Sequence, residues 1–400
     1  MKKALLIILA LGISFSLCSQ TSSIAESNND FSFSIFQSIN KQDTSTSGTN
    51  LFVSPFSIYD ALAMAYDGAA SKTAKEMRNV MKFKKNQAES HKDFASLLAG
   101  YKNDKSLFSI TNAAVAQKDY NFLDSYLANL KDFDATISLA DFSNEQARTE
   151  ALKNINEWVN KNTNGKIRDL LSKNDINSLT KLVLLNAIYF NAKWAKEFKN
   201  DKTRKMTFYG KNSVEYITDF MSGTQFISIA DDKEASMIKM DYENEKASMF
   251  IIMPKENVDI DKFISNFTKE KFDSYCSDSK KIKADVTMPK FKIESRFEMK
   301  EILMGMGIKT AFTKNADFSK MNGRSNLLID QVIHKSFIEV TESGTEAAAA
   351  TAVIVREKTA VAKQNEKITI NRPFIFVIKE NTNNAILFVG KYVKPDKLSK

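Results

Sequence analysis

The sequence predicts a single large domain of the α+β class, and three observations carry that expectation. Four hundred residues with 43% hydrophobic content are enough to bury a large core. Twelve glycines and five prolines leave no Gly/Ser or Pro-rich linker to divide the chain, and no internal repeat divides it either. Helical and strand patterning both occur along its length.

The chain starts with Met1-Lys2-Lys3 and an apolar run from Ala4 to Leu17, a pattern too short to span a bilayer. Residues 1–18 therefore read as a secretory signal cleaved near Cys18. The alternative is a lipoprotein signal with Cys18 acylated and the protein tethered at the cell surface, although Leu17 stands where such signals place a small residue. With Cys18 removed or modified, Cys276 is alone and no internal disulfide forms. The formal net charge of +9 falls to about +7 without Lys2 and Lys3, and the basic residues are dispersed. The densest basic stretch, Lys72 to Lys92, reads as a solvated helix face, with weak polyanion binding as the alternative; no nucleic-acid partner is indicated.

Residues 19–30 read as a polar leader to the domain, residues 31–400. Phe31 to Ile39 begins an amphipathic helix with Asp30 as its N-cap. Then Asn50-Leu-Phe-Val-Ser-Pro-Phe-Ser-Ile58 gives a short apolar strand and a helix start, Ser54 at the N-cap and Pro55 in the first turn, followed by apolar helix to Tyr66. Thr111 to Val115 reads as a strand, and Asn154 to Thr163 as a helix ending at Asn164-Gly165. Leu182 to Phe190 is almost wholly apolar, the mark of a strand covered on both faces, with Asn186 its one strongly polar residue. Residues 239–245 and 247–254 read as a hairpin, Val286 to Glu294 as one strand containing Pro289, and Leu327 to Glu342 as a long strand.

That long strand feeds a stretch, Glu342 to Val355, whose character changes midway. Gly344 and four alanines at 347–350 give way to β-branched residues. Read with period 2, Thr345, Ala347, Ala349, Thr351, Val353 and Val355 share one face free of charge, while Glu346 and Arg356 lie on the other. On these residues alone an exposed loop, a short helix and a strand that slots into a sheet all remain open.

The only histidines are His91 and His334, and neither accompanies a Gly-x-Ser-x-Gly or cysteine pattern. A satisfied core histidine is the expectation for His334 rather than a member of a Ser-His-Asp triad. No phosphate-binding lysine loop, His-Glu-x-x-His or Cys-x-x-Cys occurs, so no metal or cofactor is expected and the chain does not read as an enzyme. One glycosylation sequon starts at Asn266.

From Asn50 onward the chain resembles the serpin family, whose early signature is an Asn, three apolar residues, Ser-Pro-x-Ser-Ile and an apolar helix. Gly68-Ala69 and Thr73 match its continuation, with Ser71 where the family often has a second Gly. The likeness runs on through Leu182 to Phe190 to the closing strands, residues 371–378 and 385–391. It implies a metastable fold of three β-sheets, eight or nine helices and an exposed reactive-centre loop at about 342–367. It further implies that Ser54, Ser57, Asn186, Trp194, Lys290 and His334 control opening of the central sheet, with Asn186 clustered with His334 and the serines, and Glu342 paired with Lys290 where the loop departs. The hinge it implies comprises Glu342, Gly344, Thr345, Glu346, Ala347, Ala348, Ala349, Ala350 and Thr351. Counted as the family counts, Gly344 lies fifteenth from the cut, so the reactive bond is Lys358-Thr359, with Arg356 the alternative residue.

The function so implied is that of a secreted, monomeric inhibitor of serine proteases, trypsin-like because a lysine precedes the bond. The protease forms an acyl-enzyme on the loop and the freed loop inserts as a new strand, a covalent trap. Fifteen extended residues span about 50 Å, enough to carry a tethered protease across the molecule. The alternatives are a non-inhibitory serpin-fold binding or carrier protein, and an inhibitor of a cysteine protease. The uncharged inserting face favours inhibition, because burying an unpaired charge opposes insertion.

Overall fold

A computed structural model describes residues 23–395 apart from 44, 46–47, 103–107, 134 and 346–364. In chain order the helices are α1 Ser23–Asn40, α2 Pro55–Gly68, α3 Ser71–Val80, α4 Gln87–Lys102, α5 Asp124–Asp132, α6 Glu145–Asn162, α7 Ile260–Asn266, α8 Lys269–Asp278, α9 Met299–Met306 and the single turn α10 Ser319–Asn322. The strands are β1 Leu51–Val53, β2 Phe108–Gln117, β3 Ala135–Ala140, β4 Leu182–Phe190, β5 Ala192–Lys193, β6 Arg204–Tyr209, β7 Glu215–Asp231, β8 Ala235–Asp241, β9 Ala247–Pro254, β10 Lys280–Pro289, β11 Phe291–Glu298, β12 Gln331–Val340, β13 Gly344–Thr345, β14 Glu366–Thr369, β15 Phe374–Glu380 and β16 Ile386–Tyr392.

The strands form two hydrogen-bonded networks. One runs β3-β2-β4-β12-β13-β5 with β11 on the other side of β12; the second runs β1-β16-β15-β9-β8-β7-β10-β14 with β6 beside β7. The second contains two ladders joined because β7 is 17 residues long. Its first part pairs with β6 and its last part with β8, while β10 spans its middle. The three expected sheets are thus three ladders, two of which share one strand.

Helix α2 lies at the centre with all its residues buried, as its apolar sequence requires. Ser54 caps it by accepting from the Ser57 amide, and Pro55 occupies the first turn, where a missing N–H costs nothing. A smaller second core lies under α6, where Ile155 and Val159 meet Val183 and Leu185 of β4 and Ile333 of β12.

Two sequence expectations fail for identifiable reasons. Helix α1 begins by Ser23 rather than after an Asp30 cap, so much of the supposed leader is structure. Two of its polar side chains face inward and hydrogen-bond the last strand: Asn28 Nδ2 donates to the Ile386 carbonyl at 2.9 Å, and Asn29 Oδ1 accepts from the Ile386 amide at 2.8 Å. The stretch around Pro289 is two strands, β10 ending at Pro289 and β11 starting at Phe291. These belong to different networks, and Lys290 sits at the crossing between them.

The second network closes on a buried charge. Lys391 of β16 is fully buried, with Nζ 3.0 Å from both Asp43 and Asp261. Removing one partner of such a group strands the others in a poorly solvated site. Lys391→Ala is expected to lower the free energy of unfolding by about 3–5 kcal/mol, read from urea denaturation; a change below about 1 kcal/mol would show that water replaces the ammonium without penalty.

Candidate functional site at the divided end of the large sheet

Strands β4 and β12 run parallel and paired from Gln331↔Val183 to Ser336↔Ile188. Beyond that register another strand separates them. After β12 the chain turns at Thr341–Ser343 and returns as β13, pairing Val340↔Thr345 on one side and Gly344↔Lys193, Thr345↔Ala192 on the other. The turn closes with the Thr341 amide donating to the Gly344 carbonyl at 2.8 Å. Gly344 has φ +153°, and a Cβ there would lie 2.2 Å from the Ala192 carbonyl oxygen, so the approach requires glycine.

Thr345 is fully buried, its hydroxyl 2.7 Å from the Tyr242 hydroxyl. Burial pushes the Tyr242 phenol above its usual range and keeps it neutral. Trp194 stacks on Tyr242 with centroids 4.7 Å apart and planes 6° from parallel. Its indole N–H donates to the Thr341 carbonyl and its amide to the Ser343 carbonyl, each at 3.0 Å. The tryptophan thereby holds both sides of the turn.

Glu342 lies at the tip of this turn, 2.9 Å from Lys290 Nζ, and accepts from the Thr203 hydroxyl at 2.6 Å. Burial pushes its carboxyl up, but the Thr203 and Lys290 hydrogen bonds outweigh that and hold it below the usual range. Solvent reaches the Lys290 side, about a third exposed, and screens the pair, so its contribution is mainly positional.

Deeper in the sheet, His334 of β12 faces the start of α2. Its Nε2 accepts from the Ser54 amide at 3.1 Å, which places the ring proton on Nδ1. Burial pushes the imidazole down to about 3. The Ser54 hydroxyl donates to the Leu387 carbonyl at 2.7 Å rather than to the ring, so the pair is not arranged as nucleophile and base. Asn112, Asn186 and His334 occupy one rung across β2, β4 and β12. The Asn186 side chain lies outside the described residues. Asn112 donates to Asp60, the buried acid of α2.

Of the residues singled out from the sequence, the structure gathers Ser54, Ser57 and His334 at one level and Trp194, Lys290, Glu342, Gly344 and Thr345 at another. Glu346, Ala347, Ala348, Ala349, Ala350, Thr351, Arg356, Lys358 and Thr359 lie outside the described residues, as do residues 1–18 with Cys18. Sequence reasoning missed Tyr242, Thr203 and the Asp60–Asn112 pair. Asp60 alone carried a signal, as the one charged residue within an otherwise apolar helix run. In the basic stretch, Lys72, Lys84 and Lys85 contact Glu76, Glu26 and Asp93, as on a solvated face. Asn266 is exposed at the end of α7.

A two-residue strand, β13, thus enters one end of the large sheet between β12 and β5. The model for serpin (serine protease inhibitor) matches residues 26–395. An uncharacterized serpin-like protein of Thermococcus kodakarensis is 35% identical over 381 residues, covering 94% of this chain and 87% of its own. Leukocyte elastase inhibitor of Xenopus tropicalis is 34% identical over 378 residues, covering 91% and 97%. Among solved structures, human thyroxine-binding globulin complexed with thyroxine superposes with a TM-score of 0.85 at 27% identity, covering 94% of this chain and 99% of that one. The chain belongs to the serpin family.

Two outcomes follow from this geometry. His334 is depressed in the fold relative to an ordinary imidazole near 6.5, so the unfolded chain binds the extra proton first as pH falls. Stability is then lost from about pH 6.5 towards 3, at up to about 1.4 kcal/mol per pH unit from this group. The difference in urea stability between wild type and His334→Gln should shrink as pH falls through that window; a constant difference would reject the assignment. Separately, Gly344→Ala is expected to expel β13 and increase limited proteolysis near residue 344, and an unchanged digestion rate would contradict the requirement for glycine.

Proposed function

We propose that this protein is a secreted inhibitor of trypsin-like serine proteases that acts as a suicide substrate. One observation carries the reading: Thr345, the first residue of the uncharged period-2 face, is enclosed between β12 and β5 with its hydroxyl bonded to Tyr242. Ala347, Ala349, Thr351, Val353 and Val355 continue that face in sequence without a charge. Cleavage at Lys358-Thr359, with Arg356 as the alternative residue, frees this segment to extend β13 between β12 and β4. Strand addition supplies backbone hydrogen bonds along the whole insertion, while the protease remains attached as an acyl-enzyme. Secretion is inferred from the signal-like residues 1–17; among the described residues no helix is long and apolar enough to cross a membrane.

A carrier role is the competing reading, supported by the likeness to thyroxine-binding globulin, whose structure holds thyroxine. The two separate on mixing the mature protein with trypsin. Inhibition yields an SDS-resistant 1:1 adduct and releases a peptide beginning at Thr359; a carrier is cleaved, or ignored, without adduct. Thr345→Arg would place a guanidinium where Tyr242 closes the wall, and burying it unpaired opposes insertion. That variant should be turned over as a substrate with adduct yield reduced at least about tenfold; wild-type yield would reject insertion past this position.

A further inference from the structure

Phe226 is the most exposed aromatic side chain among the described residues, at 68%. It lies on β7 rather than in a loop, so its orientation is fixed by pairing with Lys283 of β10. Lys196 Nζ and Lys283 Nζ stand 5.5 Å and 6.0 Å from its ring centroid, within range of cation–π attraction. Beside the ring is a depression of about 270 Å³, to which Ile282 and Lys281 also contribute. Two acids, Asp241 and Glu245, also line it against the lysines Lys281 and Lys283, and Asp241 pairs with Lys239 at 2.9 Å. An exposed aromatic ring amid lysines is a surface for an anionic partner with some apolar area.

Its position identifies the partner. Ala284, next to Lys283, pairs with Glu366 of β14, the first strand after the residues that include Lys358-Thr359. Phe226 is thus two strand spacings, about 10 Å, from that return. Lys196 lies two residues beyond Trp194, whose amide binds the Ser343 carbonyl where the same stretch departs. The patch adjoins both anchors of the segment offered to the protease. We propose that Phe226, Lys196 and Lys283 form a docking surface for an acidic surface segment of the protease engaged at that segment, raising the rate of encounter and selecting among enzymes of equal bond specificity. This rests on the inhibitor reading above.

The test uses the mature protein with two probes of the same cleavage preference, an anionic and a cationic trypsin. Second-order association rates are compared for wild type, for Lys196→Glu/Lys283→Glu, for Phe226→Ala, and for Lys153→Glu/Lys161→Glu on α6 as a control of equal net charge. Steering predicts that wild type reacts about tenfold faster with the anionic enzyme at low salt. The site reversal should abolish that preference, the control should keep it, and Phe226→Ala should slow the anionic reaction severalfold at physiological salt. Equal behaviour of the site and control reversals, or a wild-type rate for Phe226→Ala, would overturn the docking surface while adduct formation left the inhibitor reading standing. Absence of adduct between wild type and either trypsin would remove both.

Discussion

The arrangement at the divided end of the sheet depends on one close approach, the backbone of Gly344 against the carbonyl of Ala192. Only the absence of a side chain lets β13 enter between β12 and β5. Everything else there is built around that contact: Trp194 fastens the turn, Tyr242 meets Thr345, and Glu342 is held outward by Lys290 and Thr203. A strand of two residues contributes few backbone hydrogen bonds of its own. The join is therefore held by its neighbours, and belongs among the parts of a protein that open at low free-energy cost.

Polar groups are sorted by depth along the same line. At the turn Glu342 and Lys290 are charged, while Tyr242 beside Thr345 and His334 farther in are each kept uncharged by burial. Neutral groups exchange hydrogen-bond partners without the desolvation penalty that a buried ion pair incurs when it breaks. The buried ion cluster of Lys391 lies instead in the other network, away from the division.

Much of this was legible in the sequence. The Ser54-Pro55 helix start, the covered strand 182–190 and the burial of His334 each follow from a strong local pattern and are found, but the His334 ring is satisfied only at Nε2, its Nδ1 having no hydrogen-bond partner among the described residues. Gly344 drew notice for its freedom of backbone angle, and the structure supplies the steric reason. Tyr242 and Thr203 were not legible, because their significance arises from pairing with residues 103 and 139 positions away. The start of α1 was misjudged for a related reason. Polar residues at 27–29 look solvated until their partners, in Lys82 and in the last strands, are known. The division at Pro289 was missed although the apolar positions change phase there, from Val286 and Met288 to Phe291 and Ile293, as the chain changes sheets.

Those partners of α1 also constrain how the chain acquires its structure. Asn28 and Asn29 bond to residues 358 and 355 positions later. As the chain emerges from the ribosome, the first helix has no acceptor for these amides until nearly the last residues appear. Contacts of such separation fold slowly, since loop closure precedes any reward. Synthesis from the N-terminus therefore leaves the inward face of α1 waiting, exposed to chaperones or to another copy of the same chain. Loss of only the last strand would leave the inward amide of Asn28 without its acceptor.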